Sequence, residues 1–131
     1  MVASPQHTVR RVLLVDDEAN ILHALRRLLG RRKIEVLAAP AAPAAMQVLA
    51  ASPCDVVIAD YRMPGGDGLS FLVDVAAKYP ATRRILMSGY RVPGAEAHLD
   101  GGTIHAFVQK PIEMQELLGH IGIRVTFGDE R

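Results

Sequence analysis

The sequence predicts an α/β fold, a doubly wound (βα)5 unit in which a five-stranded parallel sheet is covered by helices on both faces. Three observations predict it. Short continuous apolar runs, the pattern of strands buried on both sides, alternate with segments of helical period from Val12 to Ile121. Several of these runs stop abruptly at polar residues, as strands do where their carboxyl ends meet a site. Alternation of strand and helix throughout the chain favours a parallel sheet.

The first strand is Val12 to Val15, stopping at Asp16. A helix follows over Ala19 to Leu29, with Ile21, Leu22, Leu25, Leu28 and Leu29 at helical spacing and Gly30 as its stop. Ile34 to Ala38 makes a short second strand. Ala41 to Ala51, rich in alanine with Met46, Val48 and Leu49, makes the second helix. Its Pro43 lies in the first turn, where a missing N–H is tolerated.

Asp55 to Ala59 repeats the buried-strand pattern and ends at Asp60. A glycine-rich turn then leads into a helix from Gly68 to Tyr79, with Leu69, Phe71, Leu72, Val75 and Ala76 on its apolar face and Pro80 closing it. Arg84 to Met87 reads as the fourth strand, ending at Ser88. Pro93, Gly94, Gly101 and Gly102 leave room only for a short helix around Ala95 to Leu99. Ile104 to Val108 is the fifth strand, and Glu113 to Ile121 the last helix, with Met114, Leu117, Leu118 and Ile121 on one side. Residues 1–9 read as a polar leader and 10–122 as the single domain. Residues 123–131 read as a tail that extends the last helix, adds an edge segment or is disordered.

At 131 residues the chain can bury a core without disulfide or metal staples. With 50% hydrophobic and 22% charged residues it is expected to fold. A formal net charge of +1 gives no global pull toward nucleic acid or an anionic membrane. The basic cluster Arg26, Arg27, Arg31, Arg32 and Lys33 lacks interleaved aromatics and reads as a hydrated complement to a helix C-terminus, so no direct nucleic-acid contact is expected. Cys54 stands alone and reads as a packed thiol. The opening MVASPQHT lacks the apolar core of a signal peptide, and no stretch approaches the roughly 20 apolar residues of a membrane span. A cytoplasmic protein without membrane partners is the expectation. The five histidines show no metal-ligand spacing, and Gly65, Gly66 and Gly68 follow neither the dinucleotide nor the P-loop pattern, so they read as turn residues.

In an open parallel sheet the site lies outside the carboxyl ends of the strands, and those ends read Asp16-Asp17-Glu18, Asp60, Ser88 and Lys110. Alone, Asp16-Asp17 would be read as a helix cap, Ser88 as a turn residue and Lys110 as a surface charge. Together they say more. Converging carboxylates repel one another unless a cation or a proton neutralises them, and oxygen-only ligands suit magnesium, Mg²⁺. A lysine is a mobile point charge for phosphoryl oxygens, and a serine hydroxyl can bind another of them. Phosphoryl transfer needs mainly positioning and charge neutralisation, and a carboxylate can be the acceptor nucleophile, with Asp60 the candidate.

VLLVDDE (Val12 to Glu18), DVVIADYRMPGGDG (Asp55 to Gly68), RILMSGY (Arg84 to Tyr90) and FVQKP (Phe107 to Pro111) resemble, in order and spacing, the motifs of response-regulator receiver domains of two-component signalling, which are CheY-like. The resemblance covers nearly the whole chain and implies a flavodoxin-like strand order 2-1-3-4-5. It implies that Asp60 is phosphorylated by a partner histidine kinase or histidine phosphotransfer protein. It also implies that Asp17 and Asp60 bind Mg²⁺ directly, Asp16 mainly through water, and the backbone carbonyl of Arg62 as a further ligand. Ser88 and Lys110 would contact the phosphoryl group. Phe107 would turn inward as Ser88 moves, switching the surface of the fourth helix, fifth strand and last helix toward an output domain or downstream protein. Pro111 would follow a cis bond, which for X-Pro costs only about 0.5 to 1 kcal/mol. Partner contact would involve Asn20, Ala24 and the loop at Ile112, and the switching surface leaves room for a homodimer.

Arg62 and Tyr90 stand two residues after Asp60 and Ser88, positions that in this family border the path of the hydrolytic water. Both are large, so slow autodephosphorylation is expected. RMPGGDG and SGY also resemble receivers that precede cyclic-dinucleotide phosphodiesterase output domains of the HD-GYP type. Two other readings stand beside the signalling receiver. A magnesium-dependent phosphohydrolase would want an acid/base carboxylate two residues after its nucleophile, where Arg62 stands; an interaction module that leaves its site unused would not need the intact set Asp16, Asp17, Asp60, Ser88 and Lys110.

Overall fold

The computed structural model describes residues 9–123. Among the described residues, seven strands and five helices run in the order β1 (Arg11–Val15), α1 (Ala19–Gly30), β2 (Glu35–Ala39), α2 (Ala42–Ala51), β3 (Val56–Asp60), β4 (Arg62–Met63), β5 (Gly66–Asp67), α3 (Gly68–Lys78), β6 (Arg83–Ser88), α4 (Ala95–Asp100), β7 (Ala106–Gln109) and α5 (Met114–Ile121). Five of the strands form one parallel sheet in the order β2-β1-β3-β6-β7. Numbered within that sheet alone, this is the order 2-1-3-4-5 of a CheY-like fold.

The period of two along each strand explains why the runs read as continuously apolar. In β1, Val12 and Leu14 face one way and pack with Leu25 and Leu29 of α1 and Leu117, Leu118 and Ile121 of α5. Leu13 and Val15 face the other way, against Ala45 and Leu49 of α2 and Phe71, Leu72 and Val75 of α3. Two cores therefore share one sheet, and all four of these β1 side chains are 0% exposed. Truncating either leucine to alanine should cost about 2–5 kcal/mol.

The element boundaries move where local hydrogen bonding competes with the sheet. Ile34 is buried but precedes β2, because its N–H donates to Leu29 O (3.1 Å) and closes the turn after α1, with Lys33 at φ 61. Ile104 likewise precedes β7, its N–H donating to His98 O (3.2 Å). Glu113 is the N-cap of α5 and not its first residue, its carboxylate accepting from the N–H of Glu116 (2.8 Å). Gly122, at φ 105, ends α5 in a left-handed cap, so the helix does not continue through it; residues 124–131, like 1–8, lie outside the described residues.

Two features had no counterpart in the sequence reading. The turn after Asp60 contains a short antiparallel ladder, Arg62 opposite Asp67 and Met63 opposite Gly66. Pro64-Gly65 makes its bend, where Gly65 supplies the positive φ (78°) that a type II turn wants at its third position. Arg84 is 5% exposed, although it opened a predicted apolar strand. Its guanidinium donates to the carbonyls of Thr82 (2.6 Å), Thr103 (2.7 Å) and Pro80 (3.2 Å), tying the α3–β6 connection to the α4–β7 connection.

Candidate functional site

The parallel register brings four polar chain positions to one end of the sheet. Val15 of β1 pairs with Ala59 of β3, so Asp16 and Asp60 leave adjacent strands side by side. Asp60 pairs with Met87, the residue before Ser88 at the end of β6, and Ser88 pairs with Gln109, the residue before Lys110. Lys110 Nζ lies 3.2 Å from Asp16 Oδ2, 3.2 Å from Asp60 Oδ2 and 3.5 Å from Glu18 Oε1. One ammonium thus bridges the ends of β1 and β3.

The electrostatics follow from burial. The Asp16 side chain is 1% exposed and its other oxygen accepts from the Glu18 N–H (3.0 Å), while the Asp60 side chain is 16% exposed. The N-cap of α1 is Glu18, whose side chain caps nothing, so Asp16 does not serve this helix as a conventional side-chain cap. Burial works against the Lys110 charge, but hydrogen bonds and attraction from Asp16 and then Asp60 outweigh it and raise its pKa. One lysine against Asp16, Asp60 and Glu18 leaves a net negative corner.

That donor set consists of carboxylate oxygens, the chemistry a hard divalent cation takes. Among the described residues no group of three His, Cys, Asp or Glu side chains stands ready-made around a metal position. Asp16 and Asp60 instead share the lysine, and Asp17 is exposed beside them.

Ser88 is 1% exposed, and its hydroxyl accepts from the backbone N–H of Tyr90 (3.0 Å). Phe107 is half-buried against the core under α2, α3 and α4, and the Lys110–Pro111 bond is cis. Arg62 Cζ lies 4.5 Å from the centroid of the Tyr90 ring, so the residues two beyond Asp60 and two beyond Ser88 stack on each other. A groove of about 460 Å³ runs alongside, lined by Asn20, Ala24, Lys110 and Ile112 among others. A larger hollow, about 770 Å³, opens at the opposite strand ends beside Cys54, Arg83 and His105, away from the carboxylates.

Gly68 is a site residue that sequence reasoning took for a turn glycine. A Cβ there would stand 2.2 Å from the backbone oxygen of Asp60, so only glycine lets α3 start this close to the end of β3. Its N–H donates to Tyr61 O (2.7 Å). Its place at the first position of a predicted helix, where glycine is a poor choice, was the available signal.

The family model described as "Response regulator receiver domain" matches residues 12–122. Among curated proteins, the hydrogenase transcriptional regulatory protein HoxA of Cupriavidus necator is 42% identical over 101 residues, covering 76% of this chain and 21% of HoxA. Protein PetR of Rhodobacter capsulatus is 34% identical over 123 residues, covering 90% of this chain and 48% of PetR. The chain therefore spans about a fifth to a half of these relatives. Among solved structures, the signal receiver domain of an HD domain-containing protein from Pseudomonas fluorescens superposes with TM-score 0.78 at 33% identity, over 88% of this chain and 93% of that one.

Proposed function

Because the chain belongs to the response regulator receiver domain family, a regulatory module of two-component systems, we propose that Asp60 is its phosphoacceptor. The observation that carries this reading is the Lys110 ammonium held 3.2 Å from both Asp16 and Asp60. A cation already poised at the acceptor carboxylate is placed to follow charge onto a phosphoryl oxygen.

The donor is a phosphohistidine of a histidine kinase or histidine phosphotransfer protein. An Asp60 carboxylate oxygen attacks phosphorus, the P–N bond breaks, and the imidazole leaves with its electron pair and takes a proton. Lys110 and Ser88 then bind phosphoryl oxygens. Asp16, Asp17, Asp60 and the Arg62 carbonyl would hold Mg²⁺, which supplies neutralisation of negative charge when bound. The donor protein docks in the groove at Asn20, Ala24 and Ile112, beside Lys110. Output passes through α4, β7 and α5 as Ser88 and Phe107 change position, to an attached domain or a separate protein, with homodimerisation through the same surface. Complete reversal of the two populations needs about 5.5 kcal/mol of differential contact.

The domain limits 10–122, a cytoplasmic setting and the absence of direct nucleic-acid or membrane contact belong to the same proposal. Among the described residues no helix is long and apolar enough to cross a membrane. An HD-GYP-type output is favoured by the likeness to the receiver of an HD domain-containing protein.

The test is intact mass after incubation with a small-molecule phosphodonor and Mg²⁺, with Asp60→Asn and EDTA as controls. One phosphate adduct that needs both Asp60 and the metal supports the reading. No adduct from a folded chain, with a cognate kinase also failing, would establish an interaction module in its place. A phosphohydrolase is disfavoured by Arg62 at the position where that chemistry wants a carboxylate.

A further inference from the structure

We propose that Arg62 and Tyr90 form a latch that holds Ser88 in its present orientation, two positioning residues that set how readily the serine turns toward a modified Asp60. The inference rests on the phosphoacceptor reading above.

The connections form a closed ring. Asp60 and Met87 are paired across β3 and β6, and the Tyr61 N–H donates to Met87 O (2.8 Å), so the two strand ends are fixed side by side. Two residues past one end, the Arg62 guanidinium lies 4.5 Å from the centroid of the Tyr90 ring, two residues past the other. The Tyr90 N–H donates to Ser88 Oγ at 3.0 Å. Arg62 is itself pinned, since its backbone pairs with Asp67 in the β4–β5 ladder and the Asp67 side chain caps α3 by accepting from the Ser70 N–H (2.8 Å). The partner of the Ser88 hydroxyl is thus a backbone N–H whose own side chain is anchored to the Asp60 loop.

Rotation of Ser88 toward Asp60 takes Oγ off that N–H and leaves the Tyr90 amide without its acceptor. The cost is lower if the segment at Tyr90 can follow, and the stack on Arg62 opposes that movement. Tyr90 is 63% exposed, and the Arg62 guanidinium lies over its ring. An exposed cation–π contact corresponds to a factor of about two to five in an equilibrium.

The experiment uses the full chain in four forms: parent, Arg62→Met, Tyr90→Leu and the double variant. Amide exchange at position 90 is followed by NMR without metal, corrected for intrinsic rates. Each single variant should speed that exchange about two- to five-fold, and the double variant no further. Affinity for beryllofluoride with Mg²⁺, a mimic of the aspartyl phosphate, completes the cycle. Tyr90→Leu should tighten it by the same factor with Arg62 present and leave it unchanged with Met at position 62, which separates the latch from loss of the arginine charge. Unchanged exchange in Arg62→Met, or additive effects on affinity, would overturn the latch alone. A parent that binds no beryllofluoride would overturn the phosphoacceptor reading and the switching role with it.

Discussion

Lys110 Nζ and Asp60 Oδ2 stand 3.2 Å apart although 50 residues separate them in sequence. The lysine is shared with Asp16, whose side chain is 1% exposed, so its removal leaves a buried carboxylate with the Glu18 N–H as its one remaining partner among the described residues. Lys110→Met should therefore lower the unfolding free energy by about 1–3 kcal/mol in EDTA. Millimolar Mg²⁺ should recover part of the loss, because without the competing ammonium the carboxylates of the variant bind the cation more tightly than those of the parent, and a cation that binds only the folded state stabilises it. Urea unfolding of parent and variant in both buffers checks this; an equal loss with and without the metal would count against a cation site at these carboxylates.

Gly68→Ala tests the closeness of α3 to the end of β3. The new Cβ would lie 2.2 Å from Asp60 O and 3.1 Å from Leu86 Cδ1, so the backbone of one element must move. The expected cost is about 1–3 kcal/mol, more than the helix propensity that alanine gains. Because the crowded backbone is that of Asp60, the proposed phosphoacceptor, its modification by a phosphodonor should slow as well. Thermal unfolding and intact mass read the two effects separately, and full stability would show that the loop relaxes freely.

The parallel sheet and the convergence of Asp16, Asp60, Ser88 and Lys110 were legible because both follow from patterns that no local interaction can imitate. A strand buried on both faces needs a continuous apolar run, and a site at the strand ends needs each run to stop at its polar residue. Arg84 was illegible for the opposite reason. Its hydrogen bonds go to backbone carbonyls of residues 79, 80, 82, 102 and 103, which carry no side-chain signature, so a buried arginine looks like a strand-edge charge. The β4–β5 ladder has two residues on each side, too short for any period to show. The Arg62–Tyr90 stack was invisible because it depends on how two loops bend; sequence showed only that both positions are large.

His105 should make stability depend on pH. Its Nδ1 accepts from the Arg84 N–H (2.9 Å), which requires that nitrogen to be unprotonated. Burial, then the charges of Arg84 and Arg83, holds its pKa below the usual histidine value. The unfolded chain therefore takes the proton first as pH falls. The contribution of His105 is complete above about pH 6.5 and is lost as pH drops through the lower folded value, with uptake of no more than about one proton. His105→Gln keeps an acceptor and should show a shallower fall in urea midpoint between pH 7.5 and 5 than the parent. Identical slopes would mean that His105 carries no linkage.

Cys54 should be chemically quiet. Burial pushes its thiol up to about 11, and its Sγ donates to Ser52 O. At pH 8 about one thiol in a thousand would be ionised, against roughly a quarter for an ordinary cysteine. Alkylation by iodoacetamide should run at least about 100-fold slower in the native chain than in denaturant. Fast native labelling would show that the β3 entry opens often enough to expose it.

On the phosphoacceptor reading proposed above, the size of Arg62 and Tyr90 should also govern how long a phosphoryl group survives on Asp60. Hydrolysis of the acyl phosphate needs a water in line with the aspartyl–phosphorus bond, and the stacked pair stands on the two loops that leave the adjacent ends of β3 and β6 beside Asp60. Tyr90→Ala and Arg62→Ala each remove one half of the obstruction and should shorten the lifetime by about three- to ten-fold, corresponding to roughly 0.6–1.4 kcal/mol of barrier. The effect should appear in the decay of the intact-mass adduct with excess Mg²⁺, after the donor is removed. It is separate from the latch, because Tyr90→Leu keeps most of the bulk while losing the cation–π contact and should leave the decay close to that of the parent. An adduct that decays at the same rate in the parent and in both alanine variants would show that water reaches the phosphorus by another route.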